Sequence, residues 1–160
     1  MTLDKRIADR LERIRNPHDF PPIRKLLLLI RPRVDGDVFT RMSYEWAGKV
    51  KQKAIDEGWE VEDLSGVNAS RFNIENALSR IAIERRSIIM HYDHGTEFSL
   101  DGQSPGPEEL VGVDSTPVVI DERNIHMTSG MFVSAMACLS ASGLGPLAIS
   151  QRAGGYLGYT

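Results

Sequence analysis

Met131-Phe-Val-Ser-Ala-Met-Ala-Cys138 is an unbroken run of small and apolar residues, followed at once by Leu139-Ser-Ala-Ser-Gly143. A second run, Ser87-Ile-Ile-Met-His-Tyr-Asp93, ends in the same way on His94-Gly95. Short apolar runs bounded by small residues read as buried strands. A thiol and an imidazole therefore each stand where a strand gives way to a loop. If the two strands are parallel neighbours, both side chains lie at one edge of the sheet. That is the arrangement a cysteine nucleophile needs.

Outward from these runs, strands and helices alternate. Lys25-Leu-Leu-Leu-Leu-Ile30 reads as a first strand, apolar on both faces as in a parallel sheet. The turn-rich loop Pro32–Asp37 precedes a helix over Thr40–Glu57, with Met42, Trp46, Val50 and Ala54 every fourth residue and Gly58 as its stop. Trp59–Leu64 alternates apolar and acidic residues as a short strand. Phe72–Arg86 is a helix with a cap at Ser70 or Asn73. Residues 95–130 break the alternation: Asp101-Gly102 is a hairpin signal, Pro105-Gly-Pro107 a turn, and Val118-Val-Ile120 a short extra strand. The pattern resumes with a helix over Gly145–Arg152 and a strand over Tyr156–Thr160. The fold class is α/β with a mainly parallel sheet and right-handed crossovers. The final strand stops at Thr160 without a cap, which reads as a sheet cut short or completed by another segment or partner chain.

Leu3, Ile7, Leu11 and Ile14 give residues 3–15 the spacing of an amphipathic helix, and Pro17–Pro22 is a stiff connector. The organisation is therefore 1–22 as an N-terminal segment and 23–160 as one α/β domain with an insert at 96–130. A net charge of −3 gives no electrostatic case for nucleic acid or an anionic membrane as partner. The apolar stretch Leu26–Ile30 is far too short to span a bilayer. The first residues lack the apolar core of a signal peptide. One cysteine among 160 residues forms no internal disulfide, which fits a reducing, cytoplasmic setting.

A lone cysteine in a strand is usually a small core hydrophobe, and a lone histidine before glycine is usually a loop residue. Their joint occurrence at two strand ends favours a site. An imidazole beside the thiol raises the thiolate share or takes the proton during attack. The helix after Cys138 would add its dipole. The backbone N–H groups of Gly95 and Cys138 are placed to hold a developing oxyanion.

His94-Gly95 after one strand, Ala137-Cys138-Leu-Ser140 after the next, and the run Gly143 to Tyr159 resemble the caspase–gingipain–separase (CHAT) superfamily of cysteine peptidases, closest to its gingipain-like branch. The resemblance implies a caspase-like three-layer αβα sandwich that cleaves peptide or protein substrates without a cofactor. It makes Cys138 the nucleophile and His94 the general acid or base, with Gly95 and Cys138 as the oxyanion hole. In this superfamily the loop after the first strand often supplies a charged floor for the substrate. Asp35 and Asp37 suit a basic residue before the cut; Arg31 or Arg33 would suit an acidic one. The acidic floor is the weakly favoured expectation.

Two other readings compete. One is a non-catalytic α/β scaffold whose last strand is a docking edge. The other is a metal-dependent hydrolase using His91, Asp93 and His94, although a strand puts His91 and Asp93 on one face and His94 on the other. Glu108, Glu109, Asp114, Asp121 and Glu122 read as a solvated acidic face or a weak calcium site.

Overall fold

A computed structural model of the protein describes residues 7, 8, 11, 12, 15, 24–33, 36–81, 86–103 and 118–160. In chain order the elements are β1 (Lys25–Arg31), α1 (Val38–Asp56), β2 (Glu60–Ser65), α2 (Arg71–Arg80), β3 (Arg86–Tyr92), β4 (Ser99–Asp101), β5 (Val118–Asp121), β6 (Phe132–Met136), α3 (Leu144–Ser150) and β7 (Gly155–Leu157). Five strands form a parallel sheet in the order β2-β1-β3-β6-β7. The fold is α/β, with helices on both sheet faces.

β1 is an interior strand, flanked by β2 and β3, and nothing in its stretch Leu26–Ile30 needs water. Leu28, Leu29 and Ile30 are completely buried, each contributing about 1.5–3 kcal/mol relative to exposure. Leu26, Leu28 and Ile30 face one core with Ile74, Ala77 and Leu78 of α2 and Leu144 and Ala148 of α3. Leu27 and Leu29 face the other core with Ala47 of α1.

β3 and β6 differ from the expectation of strands buried on both sides. Ser87, Ile89, His91 and Asp93 are buried, while the residues between them are not; Met131, Val133, Ala135 and Ala137 repeat the pattern. The cause is coverage. On its face α1 packs against β1, β2 and β3, and Phe132 of β6 and Leu157 of β7 stay exposed.

Other boundaries also shift. Asp37 caps α1, its Oδ1 accepting the Phe39 N–H at 2.8 Å. Gly58, at φ +75°, closes that helix with Gly58 N–H to Ile55 O and Trp59 N–H to Ala54 O. The buried residues of α1 are Thr40, Ser43 and Ala47, whereas Met42 and Trp46 are about half exposed. Ser70 is the cap of α2. Asp101-Gly102 is not a two-residue hairpin turn: β4 pairs antiparallel with β5, and residues 102–117 lie between them. Leu100, Ile120 and Ile125 from this region are fully buried in the main core.

Asp121 is not part of a solvated face. It is buried and accepts hydrogen bonds from the Arg71 and Arg123 guanidinium groups, which hold its carboxyl well below the usual range. Both its oxygens are engaged. Glu108, Glu109, Asp114 and Pro105–Pro107 lie outside the described residues, as does most of the segment 3–15, where Ile7 and Leu11 are exposed. No helix among the described residues is long and apolar enough to cross a membrane.

Candidate active site

The sheet order changes direction between β1 and β3. From β1 the chain first adds β2 on one side, then returns to add β3 on the other. At such a switch point the loops leaving the two strands diverge and open a crevice at their carboxyl ends. Asp37 follows β1, and His94 follows β3.

β3 and β6 are adjacent and in register, from Ile88 opposite Phe132 to Tyr92 opposite Met136. Continued two residues, that register sets His94 level with Cys138. The burial alternation runs on without a break through buried Asp93 to exposed His94, and through buried Ala137 to exposed Cys138. Carried past the strand ends at Tyr92 and Met136, register and parity put both positions on the α1 side of the sheet, in the loops that leave neighbouring strands. Strands in a sheet are about 4.8 Å apart.

Glycines let the two loops close on each other. A Cβ on Gly95 would lie 2.9 Å from the Ala137 Cβ and 2.6 Å from the Ser99 carbonyl oxygen. One on Gly143 would lie 2.6 Å from the Glu97 carbonyl oxygen and from the Phe98 ring. The loops are also tied by Leu144 N–H donating to Glu97 O at 2.7 Å. Gly95 sits opposite Leu100 in an antiparallel bridge made by Thr96 N–H to Ser99 O and Asp101 N–H to His94 O. That bridge does not use the Gly95 amide.

His94 Nε2 is hydrogen-bonded to Asp37 Oδ2. This bond, with lesser help from the Asp93 and Asp101 charges, raises the imidazole pKa above its ordinary value. In return the His94 bond holds the Asp37 carboxyl below its usual range. An ionised Asp37 accepts from Nε2–H, so in neutral His94 the basic nitrogen is Nδ1. Phe39 packs its ring on His94, centroids 5.0 Å apart. It also lines, with Met136, Ala137, Cys138, Leu139, Tyr159 and Thr160, a cleft of about 440 Å³.

Cys138 lies on a tight turn. Leu139 has φ 55°, a conformation that costs a residue with a Cβ about 1–2 kcal/mol. Buried Ser140 donates through Oγ to Ala137 O at 3.0 Å, and its backbone carbonyl accepts the Gly145 N–H at 2.9 Å. The expected dipole support for the thiolate is absent here. α3 begins at Leu144, six residues after Cys138, and the dipole fades within the first turn.

Asp37 has both oxygens committed, to Phe39 N–H and to His94. Asp35 lies outside the described residues. Arg31 forms a bidentate pair with Asp63 of β2, at 2.7 and 2.6 Å. His91 is completely buried, its Nε2 2.6 Å from Asp101 O, and burial lowers its pKa to about 4. Burial raises buried Asp93 to about 7. Among the described residues no three His, Cys, Asp or Glu side chains converge as metal ligands.

Sequence reasoning missed the Asp37–His94 pair, since 57 residues separate the partners. It also missed Phe39, whose only signal is its place in the first turn after Asp37. No family model, curated protein or solved structure matches this chain.

Proposed function

We propose that the protein is a cysteine peptidase of the caspase-like kind, with Cys138 as nucleophile, His94 as acid and base, and Asp37 as the carboxylate that orients His94. One observation carries this reading: the loops after three adjacent parallel strands, β1, β3 and β6, bring Asp37, His94 and Cys138 to one sheet edge, with Asp37 hydrogen-bonded to His94.

In the proposed cycle the Cys138 proton passes to His94 Nδ1, and the sulfur attacks the peptide carbonyl. The Gly95 and Cys138 amides receive the oxyanion. His94 then protonates the leaving amine as the C–N bond breaks, leaving a thioester on Cys138. A water molecule, deprotonated by His94, hydrolyses the thioester and restores the thiol. Asp37 keeps Nε2 protonated throughout. This is a different role from the substrate-binding floor expected of it.

The test is alkylation and cleavage in parallel. Iodoacetamide should label Cys138 rapidly in the unaltered chain and much more slowly in His94→Ala, and peptide cleavage should vanish in Cys138→Ala. Equal labelling in both backgrounds, or cleavage that survives Cys138→Ala, would remove the dyad.

The open face of β6 and β7 favours a second reading, a non-catalytic module that docks a further segment or chain. Leu157 at the sheet edge is 61% exposed. Under that reading the His94 substitution leaves Cys138 labelling unchanged.

A further inference from the structure

The cleft beside Cys138 carries a consequence for substrate choice. Its walls are Phe39, Met136, Ala137, Leu139, Tyr159 and Thr160, and none of these side chains is charged. Two of the charges expected at the substrate floor, Asp37 and Arg31, are engaged elsewhere. Asp37 is held by His94 and by the α1 amide of Phe39. Arg31 is held by Asp63, which also takes Lys51 at 2.9 Å.

A charged substrate side chain entering such a cleft would lose its water and find no partner of opposite sign. An apolar side chain loses nothing comparable and gains by leaving water. Pockets of several hundred cubic ångströms lined mostly by apolar side chains are the ordinary form of a small-ligand site, and about 440 Å³ is within that range. The apolar surface also continues beyond the cleft. Phe39, Met42 and Trp46 stand three and four residues apart on α1, all 40–46% exposed.

We propose that the substrate residue seated beside the Cys138 sulfur is large and apolar, of the leucine, methionine or phenylalanine class, and not basic or acidic. This rests on the peptidase reading above. It replaces the acidic floor with an uncharged one, whose selecting walls are Met136 at the end of β6, Leu139 on the Cys138 turn and Phe39 on α1.

The experiment uses peptidyl acyloxymethyl ketones that differ only in the residue next to the ketone: Leu, Met, Phe, Arg, Lys or Asp. Second-order rates of Cys138 alkylation are read by mass spectrometry on the full chain, and His94→Ala is run alongside. The apolar probes should react at least tenfold faster than the charged ones, a ratio ordinary for a hydrophobic pocket. Leu139→Asp should narrow or reverse that ratio in favour of Arg and Lys. Aspartate tolerates the left-handed backbone at position 139, so this variant is expected to fold. Met136→Glu, which brings a carboxylate to the same cleft from the end of β6, is the second variant and should shift the ratio in the same direction. Fastest reaction with Arg, Lys or Asp probes overturns the apolar pocket but leaves the peptidase reading standing, provided the rates still depend on His94. Rates independent of His94 for every probe overturn both.

Discussion

Asp37 Oδ2 and His94 Nε2 share a hydrogen bond that joins the loop after β1 to the loop after β3. The bond favours the charged form of each partner, so the His94 pKa lies above 6.5 and that of Asp37 below 3.8. Its contribution to stability is complete between those two ordinary values. It disappears as pH rises through the folded pKa of His94, or falls through that of Asp37. Both groups are partly exposed, so added salt weakens the pair. Asp37→Asn keeps a good helix cap and removes the charge. The His94 titration midpoint, followed by NMR, should move down. Peptide cleavage should drop about 100-fold or more, because the amide no longer fixes the productive tautomer. An unmoved midpoint would uncouple the two residues.

Gly95→Ala tests the close approach of the two loops. The added methyl meets the Ser99 carbonyl oxygen and the Ala137 Cβ at distances real Cβ atoms do not show. The His94 loop must lift off β4 or away from Ala137. Denaturant titration should show a loss of about 1–3 kcal/mol, the usual cost of overpacking. Cleavage should fall further than stability does, since the same shift moves His94 and the Gly95 amide together. A variant as stable and active as the parent would mean that the loops do not touch there.

These features were unequally legible in the sequence. β1 was plain, because four consecutive leucines followed by an isoleucine suit a strand with cores on both faces. The positions of His94 and Cys138 followed from runs that end abruptly. The buried face of α1 was legible only in its second half, where Val50 and Ala54 pack against the core; in the first half Thr40 and Ser43 look polar in sequence yet bury without loss. Ser43 Oγ donates to Phe39 O at 2.9 Å, and Thr40 Oγ1 donates to Asp37 O at 3.1 Å. Counting apolar residues therefore drew attention to Met42 and Trp46, on the helix's open side. The pairing of β4 with β5, across residues 102–117, leaves no local mark that periodicity can read.

Leu139 is a natural site for relieving strain. It holds φ 55° on an exposed turn, and its side chain, half exposed at the cleft, is outside the buried core. Asparagine adopts that region readily, so Leu139→Asn should stabilise the chain by about 1 kcal/mol. A rise of roughly 2–4 °C in Tm would register it. Labelling of Cys138 should persist. A loss of stability above 1 kcal/mol would instead show that the leucine side chain holds the turn.

Asp93 offers a test of stability against pH. It is buried directly before His94, one carboxylate oxygen has no hydrogen-bond partner, and burial is the main cause of its rise from 3.8 to about 7. The folded state therefore keeps this proton at pH values where the unfolded state has released it. Stability should fall as pH climbs from 3.8 to 7, by no more than about 4 kcal/mol at 1.36 kcal/mol per pKa unit. Above that window the charge is present in both states and the full penalty remains. Asp93→Asn cannot ionise, so its stability should decline less steeply over the same range and exceed that of the parent at pH 8. Urea midpoints measured from pH 4 to pH 8 make the comparison, and parallel curves for the two proteins would show that Asp93 titrates normally.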